Sequence, residues 1–200
     1  MTTDQDTTRR LNVRAAFASR PRPGEARNGD AAFVRHEGST LLFAVLDGLG
    51  HGDAAADATD AGVEFLAAVD LGLSLHDIVT GLDAHLSPTC GAGAVVGVVR
   101  HDTLLACCIA DVAVRGHGVA VPLIPSGGLL GRRAGPLHTC GATLPPGARV
   151  LVFTPGVAAA LDLADVAGHA PQDACQALLA QHAVPEDDAT VMLLEATDDT

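Results

Sequence analysis

The sequence predicts an α+β fold of two packed antiparallel sheets covered by helices, and three observations lead there. Apolar runs of strand length come as hairpin pairs, 31–36 with 40–46 and 93–99 with 103–109. Helical periodicities sit side by side instead of alternating with single strands, which argues against a doubly wound parallel sheet. The run Leu41 to Leu46 is apolar without a break, as expected of a strand covered on both faces.

The elements follow in order. Leu11 to Ser19 alternates like a strand, and residues 20–30, RPRPGEARNGD, form a Pro/Gly-rich loop. Ala31 to His36 and Thr40 to Leu46 pair around Glu37-Gly38. Asp53 to Leu71 carries helical periodicity, with Ala55, Thr59, Gly62, Leu66 and Val69 on one side. Ser74 is placed to N-cap a second helix ending near Leu86, before Pro88. Gly93 to Val99 and Thr103 to Ile109 make the second hairpin, and Val112 to Leu123 is expected to continue in strands. Glycine and proline punctuate 125–147; a buried strand Arg149 to Phe153, a helix Pro171 to His182 and a closing strand Thr190 to Glu195 complete the chain.

With 200 residues, 48% of them hydrophobic, the chain has the apolar content for one core. One domain over 9–197 is expected, preceded by a polar, disordered segment 1–8, and the protein is expected to be a monomer. All 12 cationic residues are arginine, and 24 acidic residues give a formal net charge of -12. Such a surface repels nucleic acid and anionic membranes. The start MTTDQDTTRRLN lacks the apolar stretch of a secretory signal, and no run reaches membrane-span length; a cytoplasmic location is expected. Cys90, Cys107, Cys108, Cys140 and Cys175 show no C-x-x-C spacing and read as reduced core thiols. The histidines form no H-x-H or H-x-x-x-H pair, which disfavours zinc. GAGAVVG leads into a strand instead of opening a helix, which excludes a dinucleotide fingerprint.

The chemistry lies at acidic corners between apolar strands and loops: Asp30 in NGD, Asp47 in VLDGLGHG, and Asp187-Asp188 in PEDDATV. Hard divalent cations take oxygen ligands, and carboxylates at strand ends can converge on them. Gly48, without a Cβ, would let its carbonyl approach an ion. An isolated Asp-Gly is usually a plain turn; several such corners in one chain favour the metal reading.

GEARNGDAAFV, LFAVLDGLGHGDAAADA, CGAGAVVGVV, ACCIADVAVRG, PSGGLLGRR, ARVLVFTPGV and EDDATVMLLEA, in that order, resemble the type-2C (PPM) serine/threonine phosphatases, in particular the small bacterial branch of SpoIIE-like and RsbX-like enzymes. The resemblance spans residues 20–196 and implies a four-layer α-β-β-α sandwich with two Mn²⁺ or Mg²⁺ ions between the sheets. It implies that Asp47 bridges both ions, Gly48 gives its carbonyl, Asp187 is the carboxy-terminal ligand and Asp30 holds a coordinated water. A metal-activated water would then attack phosphorus directly, with no phosphoenzyme. The implied partner is a phosphorylated bacterial regulator, a STAS-domain stressosome component.

The pattern departs at Pro155. The family has Ser/Thr-Asp-Gly where this chain has Thr154-Pro155-Gly156, so a carboxylate of the second ion is missing. That site is expected to be weaker unless Asp188 or water replaces it. The alternative reading is a catalytically impaired pseudophosphatase serving as a regulatory binding module. Asp111 falls where larger relatives serve a third ion; the competing reading is an acidic hairpin residue. His51 is a candidate general acid, against a plain loop histidine, because the family position is Leu49. Residues 126–133, SGGLLGRR, read either as a flap bringing Arg132 or Arg133 to phosphate or as a solvated turn.

Overall fold

A computed structural model of the chain describes residues 11–198. The expected disordered segment 1–8 lies outside the described residues. The strands are β1 (Leu11–Arg20), β2 (Asp30–Glu37), β3 (Thr40–Gly48), β4 (Ala92–Arg100), β5 (Thr103–Ile109), β6 (Ala113–His117), β7 (Thr139–Thr143), β8 (Arg149–Phe153) and β9 (Ala189–Asp198). The helices are α1 (Asp53–Ala68), α2 (Leu75–Leu86) and α3 (Pro171–His182), with a 3-10 turn at Leu163–Val166. One sheet runs β1-β9-β8-β6 and the other β2-β3-β4-β5-β7, antiparallel at every pairing.

Side-chain alternation builds four layers from these two sheets. On β3, Leu42, Ala44 and Leu46 pack with Leu66, Ile78 and Leu82 of α1 and α2. The intervening Leu41, Phe43 and Val45 meet Val150, Val152, Met192 and Leu194 of the opposite sheet. On the far side Leu151, Phe153, Val191 and Leu193 pack against Ala174, Cys175 and Leu178 of α3. The order is therefore α1/α2, sheet, sheet, α3, as the resemblance implied. The unbroken apolar run of β3 reflects a strand with a buried layer on each face.

With few aromatics, the middle layer is filled by aliphatic side chains around one buried ring. Phe43 is fully buried and pairs across the sheet with Gly97; a Cβ there would lie 2.3 Å from the Phe43 ring. The ring occupies the space a side chain at 97 would need.

Two elements are shorter than expected and one strand was not expected. Helix α1 ends at Ala68, not Leu71, because Val69 turns to φ -65°, ψ 144°. Arg35 of β2 donates to the carbonyls of Leu66, Ala67 and Val69, satisfying helix-end acceptors that the last turn leaves open. The strand expected over 112–123 is only Ala113–His117; Gly118, at φ 71°, turns the chain and brings the Val119 carbonyl against Gly116. Strand β7 was not expected, since it lies in the glycine-rich stretch and pairs with β5 alone. Ser74 does cap α2, its Oγ accepting from the Asp77 N–H at 3.1 Å. All five cysteines are free thiols; Cys107, Cys108 and Cys175 are buried, while Cys90 and Cys140 are half-buried.

Candidate active site

The alternation that makes the core also aims the polar residues at one end of it. Asp47 lies two residues beyond Val45 on β3, and Asp30 two before Ala32 on β2, so both continue the face turned to the other sheet. They are direct partners in the β2–β3 register. On the opposite sheet Thr154 follows Val152 by two residues, and Asp188 precedes Thr190 by two and Met192 by four. One sheet thus contributes Asp30 and Asp47 to this end of the interlayer, and the other contributes Thr154 and Asp188.

A hydrogen-bonded ring fixes these groups. The Asp30 N–H donates to Asn28 Oδ1 at 3.0 Å, and Asn28 Nδ2 donates to Ser19 Oγ at 2.6 Å. Ser19 Oγ lies 2.6 Å from Thr190 Oγ1, the Thr190 N–H donates to Thr154 Oγ1 at 3.0 Å, and Thr154 Oγ1 donates to Asp30 Oδ2 at 2.7 Å. Gly48 bonds through its N–H to the Gly29 carbonyl at 3.0 Å. A Cβ at Gly48 would fall 2.4 Å from the carbonyl oxygen of Ala55, so glycine here lets the first turn of α1 pack against the strand end.

The carboxylates crowd one another. Burial pushes Asp30 up to about 8, with the charges of Asp47 and Asp188 adding to the effect against the Thr154 hydroxyl. Burial likewise raises Asp47 to about 6, reinforced by Asp187, Asp188 and Asp111, while a hydrogen bond with Asp30 opposes it. Asp187 is half-buried and its Oδ1 accepts from the Asp188 N–H at 3.0 Å. Asp111 is exposed in the turn after β5. Asp188 is 4% exposed; its Oδ1 accepts from the Arg22 N–H at 2.8 Å, and its Oδ2 is buried without a hydrogen-bond partner.

These residues fit a divalent cation in donor chemistry and charge. They are carboxylate oxygens, they raise one another's affinity for protons, and one buried oxygen is left unsatisfied, which is costly until a proton or cation meets it. Among the described residues no three His, Cys, Asp or Glu side chains are already drawn into a ligand cage. Pro155 is exposed at the corner after β8 and has no side-chain donor.

Other candidates lie apart. His51 is exposed and its Nδ1 is 2.8 Å from Glu25 Oε1. Arg27 reaches Asp57 and Asp60 at 2.6 Å and Asp53 at 3.5 Å, so three ion pairs tie loop 21–29 to the N-terminal half of α1. The segment 126–133 is anchored: Leu130 exchanges backbone hydrogen bonds with Ala92, and Ser126 bonds to Cys108 and Ala110. Arg132 Nε donates to the Cys90 carbonyl. Sequence reading missed Thr154 as the link between sheets, although a hydroxyl beside the proline corner was visible. It also missed that Asp188, unlike Asp187, continues the inward face of β9.

The four-layer arrangement is the fold of the PP2C-type serine/threonine phosphatases. RsbX, solved in complex with magnesium, superposes with a TM-score of 0.79 at 19% identity, covering 92% of this chain and 96% of that one. A chain from work on the bacterial stressosome, described as adapted to control secondary messenger signalling, gives 0.84 at 23% identity, covering 92% and 100%. The phosphatase domain of SpoIIE from Bacillus subtilis, with a fragment of its regulatory domain, gives 0.76 at 15%, covering 96% and 65%. No family model and no curated protein matches the sequence. No helix among the described residues is long and apolar enough to cross a membrane.

Proposed function

We propose that the chain is a Mn²⁺- or Mg²⁺-dependent protein serine/threonine phosphatase that acts in the cytoplasm on a phosphorylated regulator of bacterial stress signalling, a STAS-domain stressosome component. The observation that carries the reading is the paired Asp30 and Asp47 at the end of the interlayer, with Asp187 and Asp188 adding charge from the facing sheet, in a chain with the PP2C fold. The ions would be held by Asp47, the Gly48 carbonyl and Asp187, with Asp30 beside them and Asp111 and Asp188 as further carboxylates. When bound they supply Lewis acidity toward phosphoryl oxygens and lower the pKa of water.

The chain's own groups prepare that chemistry. Thr154 holds the Asp30 carboxylate and Asn28 holds its backbone N–H, while burial raises the proton affinity of both Asp30 and Asp47. A general-acid role for His51 would require its ring to leave Glu25, and the proposal does not depend on it. The magnesium bound to RsbX and the stressosome likeness support the choice of metal and partner.

The test is phosphate release from a phosphoserine peptide and from a phosphorylated STAS-domain protein, with and without Mn²⁺. Metal-dependent release lost in Asp47→Ala is expected; release no greater than that of Asp47→Ala would refute the enzyme. Pro155 favours a second reading, a module that binds its partner without turnover. Tight partner binding with no metal-dependent release would select it.

A further inference from the structure

We infer that Asp188 supplies the carboxylate that position 155 lacks, so that the second divalent cation is held from the start of β9 instead of from the corner after β8. The inference rests on the metal-dependent reading above.

Three observations place Asp188 for this task. The β8–β9 register pairs Phe153 with Val191 and continues through the Thr154 N–H to the Thr190 carbonyl, which sets Gly156 opposite Asp188. The contact is close: a Cβ on Gly156 would lie 1.7 Å from the Asp188 carbonyl oxygen. The two strand ends are therefore adjacent, and a carboxylate missing from one can come from the other. Next, Asp188 shares the inward parity of Thr190 and Met192, and a Cβ on Gly29 would meet its Oδ2 at 2.7 Å; the carboxylate thus lies beside the residue preceding Asp30. Finally, Oδ2 is buried with no hydrogen-bond partner, while Oδ1 is committed to the Arg22 N–H. A carboxylate used only to hold loop 21–29 would need one oxygen. The charge of Asp188 bears on Asp30 and Asp47, so a cation satisfies the second oxygen and a further anion does not.

Calorimetric titration of the metal-free full chain with Mn²⁺ tests this, with the metal-free unfolding midpoint as the folding control. Asp188→Asn keeps the shape and an oxygen acceptor for Arg22 but removes the charge. The parent is expected to bind two ions, and Asp188→Asn to lose at least about tenfold in affinity for the second. Pro155→Asp added to that variant should restore it. A second arm does not depend on how Asp188→Asn folds: in the parent background, Pro155→Asp should change second-ion affinity less than about twofold, within the scatter of a vacancy already filled. Two ions bound equally well by the parent and Asp188→Asn, or a large gain from Pro155→Asp alone, would overturn the inference while leaving the phosphatase reading intact. A parent that binds one ion overturns the inference and favours the binding module. A parent that binds none overturns both.

Discussion

Thr154 Oγ1 donates to Asp30 Oδ2 at 2.7 Å, and in doing so joins the end of β8 in one sheet to the start of β2 in the other. The same oxygen accepts the Thr190 N–H, so a single hydroxyl satisfies a buried donor and a buried acid. Thr154→Val, of nearly equal volume, removes one hydrogen bond from each and should cost about 1–3 kcal/mol. Thr154→Ser should recover most of that. Urea unfolding of the two variants decides: a valine protein as stable as the serine one would show that the bridge contributes nothing.

Asp30 and Asp47 make the metal-free protein pH-sensitive. Their folded values are raised to about 8 and about 6 from an ordinary 3.8, so the folded state binds protons more tightly than the unfolded chain. Their contribution to stability is then greatest in acid and falls as pH rises from about 4 toward 8. In a chelator-containing buffer, unfolding free energy should decline across this window, and Asp30→Asn should flatten the upper part. An Asp30→Asn profile parallel to the parent's would contradict this.

Gly97→Ala should destabilise the protein by about 1–3 kcal/mol, because the added methyl meets the Phe43 ring at 2.3 Å and the Leu105 carbonyl at 3.0 Å. Phe43→Leu on the same background should recover part of the loss, and the two effects should be non-additive. Strict additivity in thermal unfolding would show that the ring and the glycine do not share one space.

Thiol labelling reports the layers. Burial pushes Cys108 up to about 11 and Cys175 up to about 12, so neither presents a thiolate near neutrality. Only half-buried Cys90 and Cys140 should react with a small thiol reagent in the native protein, and all five after denaturation. Rapid native labelling of Cys175 would mean that α3 does not cover its sheet.

Much of this architecture was legible because it depends on local pattern. The unbroken run before Asp47 announced a strand buried on both faces, and Ser74 announced the start of α2. What stayed hidden depends on which strands meet. Strand β7 carries Gly141 and is held by one neighbour, so little in Thr139–Thr143 marks it as extended. The contact of Phe43 with Gly97 joins residues 54 positions apart, and neither is unusual alone. The acidic corners were visible as a set, but the inward direction of Asp188 follows from the β9 register, and the role of Thr154 follows from the packing of one sheet on the other.

The ring from Asp30 through Asn28, Ser19, Thr190 and Thr154 crosses from one sheet to the other and back. A ligand held between both sheets stabilises the closed sandwich against any opening that separates them. Binding energy at this end is therefore transmitted to the slowest, most global opening of the molecule. Its signature is amide hydrogen exchange retarded along the central strands of both sheets, far from the acids, with the surface turns unchanged.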